Sequence, residues 1–323
     1  MTMLSRVANS IFWLYRNVER VENAARFLDV NFNLALDLTR VTAEQWSPLI
    51  QVLGAEKNFE SLYQTYDRNS VIEFICFNEG NPNSIWNCIN KARENARSVR
   101  GHLTKELWEQ INKLWYYIQQ EREQSHSTDP DPRIFVDKVK RECQLFYGIS
   151  DCTISQNEGW HFGKIGVHLE RADNTSRMLD VKYHILLPSL KSVGTTIDRI
   201  QWVALLKSVS AYNMYSRKHG RLVPLHIAEF LILDQEFPRS ILHCLQKAEQ
   251  SLKSISGNYG QTFQNQAEKQ IGLIRSDLSF AEIDEIFQQG LHEFLDQIQI
   301  KINSISDSIY QTYFSIKHQD LAP

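Results

Sequence analysis

The chain carries one stretch twice, ERVENAARFLDV at residues 19–30 and ERADNTSRMLDV at residues 170–181. Seven of the twelve positions are identical, and Asp173 keeps the negative charge of Glu22. Most of the identities are charged or amide side chains. Exposed charges contribute little to stability, so the identities of such residues could diverge between two copies of a sequence. The match indicates a paired polar site or a paired structural network.

The duplication extends beyond this motif. Three further blocks recur in the same order, namely residues 61–68 with 210–217, 73–75 with 229–231, and 84–92 with 240–248. The motif recurs at an offset of 151 residues and the three further blocks at 149, 156 and 156, which differ only by what short loop insertions would add. We therefore predict two duplicated helical halves, residues 1–126 and 127–323, with a join near Ser125–Pro132. We expect these two bundles to pack as one compact body with pseudo-twofold symmetry.

The sequence predicts an all-α fold. Only thirteen glycines and eight prolines interrupt 323 residues, and the alternation of β-branched residues that is typical of strands is rare. Apolar residues recur with helical spacing in eight segments, which are residues 4–36, 83–100, 103–124, 133–149, 158–187, 197–217, 239–255 and 280–316.

Composition narrows the class of protein. The 35 basic and 38 acidic residues leave no basic stripe, so nucleic acid is not the expected partner. No apolar run is long enough to cross a membrane. The five cysteines are odd in number and lack C-x-x-C spacing, which argues against a disulfide framework and a zinc site and favours a cytoplasmic location. Nucleotide-binding and acyl-transfer motifs are absent, and no cofactor is expected.

The repeated motif places its polar residues on one side of a helix. At 100° per residue, Glu19, Asn23 and Arg26 share a narrow wedge with Arg20 at its border, and the second copy repeats this pattern. The spacing also predicts the pairs Glu22–Arg26 and Arg26–Asp29 within the first helix, and Asp173–Arg177 and Arg177–Asp180 within the second. The candidate substrate- or partner-binding residues are therefore Glu19, Arg20, Asn23, Arg26, Glu170, Arg171, Asn174 and Arg177.

Three interpretations of these residues remain open. The two wedges could meet in a structural network along a seam between the halves. They could line a pocket in which Arg26 and Arg177 bind a carboxylate or phosphate while Glu19 and Glu170 bind an amine. They could also form a docking face for another protein.

Other chemistry-bearing residues carry weaker patterns. Glu158–His161 and Glu123–His126 match the Glu-x-x-His spacing of di-metal bundles, but one contains glycine and the other lies in the join, so no metal site is expected. Cys88 and Cys244 occupy equivalent apolar positions, which is typical of buried structural thiols. His102 is expected in a solvated turn.

Several separate blocks resemble the bacterial alpha-E family. They are residues 3–8, 12–22, 169–173, 205–212 and 237–241. Members of this family usually have a Gly-Arg pair just before the Glu-Arg motif, and here Tyr15-Arg16 and Gly166-Val167 each keep one half of it. Alpha-E proteins are encoded beside, or fused to, circularly permuted ATP-grasp proteins and often accompany transglutaminase-like proteases. ATP-grasp enzymes activate a carboxylate as an acyl phosphate and couple it to an amine.

The resemblance implies an accessory helical subunit of an ATP-grasp-dependent peptide or amide ligation, or peptide-modification, system. Its Glu-Arg helices would bind the substrate or the partner. One alternative is an independent enzyme that acts on a small peptide intermediate, with Glu19 or Glu170 as general base. The other is a purely structural interaction module.

Overall fold

The computed structural model of the chain describes residues 3–37, 46–124, 131–182, 195–258, 260 and 262–315. Within these ranges it contains fifteen α-helices and no β-strand, which confirms the predicted all-α fold. The helices are α1 (Ser5–Asp37), α2 (Ser47–Val52), α3 (Glu56–Glu60), α4 (Arg68–Cys76), α5 (Ile85–Ser98), α6 (Lys105–Gln124), α7 (Pro132–Thr153), α8 (Glu158–Asp180), α9 (Thr196–Ser208), α10 (Tyr212–His219), α11 (Pro224–Leu233), α12 (Ile241–Ser256), α13 (Gln266–Phe280), α14 (Ile283–Gln289) and α15 (Leu291–Ile309).

The two helices that carry the repeated motif pack against each other in the middle of the molecule. Around this pair, α5 and α7 lie against α1, while α12 and α15 lie against α8. Between Val7 and Phe32 almost every side chain of α1 is buried or half-buried, so this helix is surrounded on all sides. A single apolar core runs from Val7 to Phe314 and includes residues of both predicted halves.

The predicted halves interlock. Helix α7 belongs to the second half by sequence, yet it packs against α1 and α6 of the first. The boundary after residue 126 and the pseudo-twofold relation stay predictions, and residues 125–130 of the join lie outside the described residues.

The repeated block at residues 84–92 and its counterpart at 240–248 begin matching helices. Ser84 caps α5 and Ser240 caps α12, and in each case the serine Oγ accepts a hydrogen bond of 3.2 Å from the third backbone N–H that follows. The block at residues 61–68 differs from its counterpart, because residues 61–67 form turns and irregular backbone whereas Tyr212 and Tyr215 lie on α10.

Two of the predicted helices are interrupted in the structure. The segment 197–217 is split between α9 and α10 at Ser210, whose φ of 57° is incompatible with a right-handed helix. In the segment 280–316, Phe280 is the last residue of α13, the next helix begins at Ile283, and the helical run is broken at Gly290, where φ is 104°. Helix α8 ends at Asp180, and the predicted continuation from 183 to 187 lies outside the described residues.

Candidate functional site

Glycines allow α1 and α8 to approach closely. A Cβ atom at Gly166 would lie 2.5 Å from the backbone oxygen of Phe12, and one at Gly163 would lie 2.9 Å from the ring of Tyr15. Neither distance is possible for a real side chain, so both positions require glycine in this packing. The close approach brings the polar residues of the two motifs into direct contact, and it explains why Gly166 stands just before the second motif.

The Glu-Arg pairs of the two motifs bind each other reciprocally. Arg20 donates from Nε to Oε1 of Glu170 over 2.6 Å, and Arg171 donates from Nε to Oε2 of Glu19 over 3.1 Å. Each glutamate thus accepts from the arginine of the other copy.

Beyond this exchange the two sides differ. On the Glu19 side, five charged residues form what we call the buried cluster: Glu19, Glu22, Arg26 and Arg239, which are buried, and Arg171, which is half-buried. Glu19 is 0% exposed, and besides Arg171 it accepts from Arg239 Nη1 at 2.7 Å and from the Tyr147 hydroxyl at 2.8 Å.

Glu19 stays ionised in this environment. Burial alone would raise the pKa of its carboxyl group, but the guanidinium groups of Arg171 and Arg239 outweigh burial and lower the pKa to about 2. A general base needs a pKa near the working pH and a free oxygen that the substrate can reach. Glu19 has neither, which disfavours its predicted role as a general base.

The remaining members of the buried cluster complete the network. Arg26 donates to Glu22 four residues before it, as predicted, and also to the Oγ of Ser210 at the break between α9 and α10. Arg239 Nη2 lies 3.2 Å from Glu22 Oε2. Burial and the neighbouring charge of Arg239 lower the pKa of Arg26. Because these side chains pair with one another inside the core, the contacts favour a structural network over a binding site.

Asp29 and Asp180 do not make their main contacts with the arginines three residues before them, Arg26 and Arg177. Asp29 accepts from Lys140 on α7 over 2.8 Å, and Asp180 contacts His292 Nδ1 on α15 over 2.6 Å. The ends of both motifs are therefore tied to neighbouring helices rather than to Arg26 and Arg177.

The Glu170 side opens onto solvent. A cleft of about 250 Å³, which we call the α1–α8 cleft, lies between the two helices and the end of α2. Its charged lining consists of Arg16, Arg20, Glu170, Asp173 and Arg177, which are three guanidinium groups against two carboxylates. Four asparagines complete the polar lining: Asn23, Asn83, Asn174 and Asn303.

Both carboxylate oxygens of Glu170 accept hydrogen bonds from arginines at the base of this cleft. Its Oε2 accepts from Arg16 Nε and its Oε1 from Arg20 Nε, each over 2.6 Å. Burial raises the pKa of Glu170, but Arg20 and Arg16 outweigh it and the net pKa is lowered. Glu170 is therefore also disfavoured as a general base, and as the group that would bind an amine.

Arg20 and Arg177 use only some of their N–H groups in the contacts that hold them in the cleft. Arg20 also donates from Nη1 to Asn83, while Arg177 donates from Nε to Asp173 Oδ2 over 2.9 Å in the predicted i,i+4 pair. The side chains of Arg20 and Arg177 are 27% and 31% exposed. Among the described residues, Asp173 Oδ1 and Asn23 Nδ2 are buried and have no hydrogen-bond partner.

The predicted binding residues thus divide into two sets. Glu19, Arg26 and Arg171 belong to the buried cluster. The cleft is lined by the other five, which are Arg20, Asn23, Glu170, Asn174 and Arg177.

Sequence reasoning missed Arg239 and Tyr147. Arg239 lies in a block that resembles the alpha-E family, and this was the available signal for it, whereas nothing in the sequence marks Tyr147. Arg16 differs from its counterpart Val167 and makes the cleft side unlike the other, as the alignment of the two copies predicted.

The other candidate residues belong neither to the buried cluster nor to the lining of the cleft. Cys88 and Cys244 are buried free thiols, as predicted, and burial raises their pKa values. His102 is exposed in a short 3₁₀ helix. In the described part of the chain, no three His, Cys, Asp or Glu residues are grouped as metal ligands, and no helix is long and apolar enough to cross a membrane. His126 lies outside the described residues.

Comparison with known proteins gives a family and distant relatives. Residues 3–314 match the alpha-E family, described as a predicted alpha-helical domain with a conserved ER motif. Uncharacterised proteins of Mycobacterium bovis and Mycobacterium tuberculosis are 22% identical over 342 aligned positions. The alignment covers 96% of this chain but only 37% of each mycobacterial protein. No solved structure matches the chain. The family match extends over nearly the whole sequence, and the chain belongs to the alpha-E family.

Proposed function

We propose that this chain is a cytoplasmic accessory subunit of an ATP-grasp-dependent peptide or amide ligation, or peptide-modification, system. In this role the α1–α8 cleft binds an acidic group of the substrate. The partner is a circularly permuted ATP-grasp protein, and a transglutaminase-like protein is a further component of the system. The chain itself supplies neither nucleotide binding nor the activation step.

The observation that supports a ligand in the cleft is its charge. Three guanidinium groups and two carboxylates line about 250 Å³ of solvent-accessible space, which leaves one positive charge unmatched. A planar guanidinium with free N–H groups grips a carboxylate bidentately and discriminates by geometry as well as charge. Trp13 lies beside Arg16 and Arg20, with the guanidinium carbons 5.2 and 5.7 Å from its ring centre, and this contact helps to hold both side chains in place.

The family supplies the setting of the proposal. Alpha-E proteins resemble this chain in the blocks that carry the two motifs, and they occur beside or fused to ATP-grasp proteins. The chain spans a little over a third of the length of its mycobacterial relatives, 37%, which fits a unit that operates alongside other domains.

Reconstitution tests this role. The neighbouring ATP-grasp protein would be purified with and without this chain, and ATP turnover would be followed as phosphate release in the presence of amino acids and short peptides. The proposal expects the two proteins to copurify and expects turnover to rise when both are present. Unchanged turnover together with no association in size-exclusion chromatography would refute it.

A further inference from the structure

We infer that the α1–α8 cleft recognises the C-terminal residue of a peptide, by its carboxylate and its backbone N–H together. Arg20 and Arg177 would donate to the carboxylate, and Asp173 would accept from the N–H. This inference rests on the proposed function and specifies the class of ligand that the site takes.

The carboxylate half of the ligand matches the free donors of the cleft. Arg20 uses Nε for Glu170 and Nη1 for Asn83, and Arg177 uses Nε for Asp173. Within the described residues, Nη2 of Arg20 and both terminal nitrogens of Arg177 have no assigned acceptor. Arg177 is held at Nε and offers its terminal edge to a ligand, whereas Arg20 is held at two nitrogens and offers Nη2 alone. Such a prepositioned fork loses little conformational entropy on binding.

The N–H half of the ligand matches an unpaired acceptor. Asp173 Oδ2 accepts from Arg177, whereas its Oδ1 is buried without a partner among the described residues. An unsatisfied buried carboxylate oxygen is costly, and a donor from the ligand would remove that cost. A bare phosphate or sulfate brings no donor and would place further negative charge against Asp173.

Asn23, which also lines the cleft, adds a second unpaired group. Its Oδ1 accepts from Arg239 Nη1 over 3.1 Å, and because arginine can only donate, this bond sets the orientation of the amide. The Nδ2 group is then left as a donor without a partner among the described residues. Asn23 is only 4% exposed. A carbonyl or carboxylate oxygen of the ligand would satisfy it.

Charge and size favour a peptide end over a free amino acid. A free amino acid is neutral overall and would leave the unmatched positive charge of the cleft in place. The C-terminal residue of a peptide carries one negative charge and still offers an N–H, because its nitrogen is an amide. A volume of about 250 Å³ is suited to one residue, and the open side of the cleft lets the preceding residues extend into solvent.

A four-compound panel tests the inference on the intact chain. Calorimetric titration would compare N-acetyl-L-alanine, L-alanine, N-acetyl-L-proline and N-acetyl-L-alanine amide. We expect N-acetyl-L-alanine to bind best. Loss of the N–H in the proline compound, loss of the negative charge in the amide, and the added ammonium of free alanine should each weaken binding about tenfold or more, which corresponds to roughly 1.4 kcal/mol.

Variants assign the contacts. In Asp173→Asn, Arg177 keeps its acceptor and the other amide atom becomes a donor, so the preference for N-acetyl-L-alanine over N-acetyl-L-proline should disappear. Asp151→Asn removes a carboxylate paired with Lys164 outside the cleft and should leave the preference unchanged. If Asp173→Asn fails to fold, the panel on the unaltered chain still decides.

The outcomes separate this inference from the proposed function. Equal binding of the alanine and proline compounds, or tighter binding of free alanine, would overturn C-terminal recognition while leaving an acid-binding cleft. Absence of binding by every carboxylate in the panel would overturn the cleft as a ligand site, and the reconstitution with the ATP-grasp protein would then decide the subunit role alone.

Discussion

At the scale of single residues, Glu19 and Glu170 hold equivalent positions in the two motifs but have different surroundings. Each accepts from the arginine of the other motif. Glu19 then draws its further donors from Arg239 and Tyr147 inside the core, whereas Glu170 draws on Arg16 at the base of an open cleft. The same residue type therefore pairs with arginines inside the core in one copy and holds two arginines at the base of an open cleft in the other.

Replacing the buried carboxylate should destabilise the protein strongly. In Glu19→Gln, Arg171 and Arg239 would remain buried with part of their charge uncompensated. We expect the free energy of unfolding at pH 7 to fall by about 3–5 kcal/mol, measured by urea denaturation. Glu94→Gln, whose partner Arg97 is exposed, is the control and should change it by less than about 1 kcal/mol. Equal effects of the two variants would contradict the structural role of Glu19.

The lowered pKa of Glu19 predicts a specific dependence on pH. The folded pKa of about 2 lies below the ordinary value of 4.5, so the unfolded chain takes up this proton first as the pH falls. The stabilisation is complete above about pH 4.5 and is lost towards pH 2, with a size of roughly 3 kcal/mol. The gap in unfolding free energy between the unaltered chain and Glu19→Gln should therefore narrow across this window. A gap that stays constant from pH 7 to pH 3 would contradict this account.

Part of the site could be predicted from single residues. The match between the two motifs marked the residues of interest without deciding whether the two copies meet, and the spacing correctly gave the pairs Glu22–Arg26 and Asp173–Arg177. It could not separate the buried set from the cleft set, because that depends on Arg239, Tyr147 and the end of α2, which are distant in sequence.

At the scale of helices, the contact between α1 and α8 decides whether the two motifs can meet. Helical spacing of apolar residues located α1, α5, α6, α7 and α12 to within a few residues. It did not reveal the interruptions at Ser210 and Gly290, because a positive φ at one residue does not change the periodicity of its neighbours.

A methyl group at the contact should disrupt it. In Gly166→Ala the new Cβ would meet the backbone oxygen of Phe12 at 2.5 Å, and neither helix backbone can yield without moving the motifs apart. We expect a loss of about 2–3 kcal/mol in the free energy of unfolding. Gly148→Ala on α7 is the matched control, since a Cβ there meets nothing within 4 Å. That variant should gain roughly 0.5–1 kcal/mol from helix propensity, and a comparable loss in both would contradict the close-packing argument.

At the scale of the whole molecule, the buried cluster joins residues from distant parts of the chain. Glu19 is held by Tyr147, Arg171 and Arg239, and one apolar core includes residues of both predicted halves. The sequence predicts a duplication but not the way α7 lies against α1 and α6, because nothing in the sequence of α7 specifies its neighbours.

Neither predicted half should fold alone. Residues 1–126 expressed separately would expose the apolar face that α1 buries against α8, and would leave Glu19 without its three donors. We expect this fragment to show no cooperative thermal transition by circular dichroism, and we expect mixing with residues 127–323 to restore one. A cooperative transition of the first fragment by itself would contradict the shared core.

We propose that the α1–α8 cleft, rather than the buried cluster, serves the ATP-grasp partner. The most direct measurement is the ATP turnover of that partner in the presence of Arg177→Gln, with the exposed Arg97→Gln as control. We expect Arg177→Gln still to associate with the partner but to bind the ligand about tenfold more weakly, a loss of roughly 1.4 kcal/mol, so that it stimulates turnover less at subsaturating ligand, while Arg97→Gln behaves as the unaltered chain. Full stimulation by Arg177→Gln would contradict this proposal.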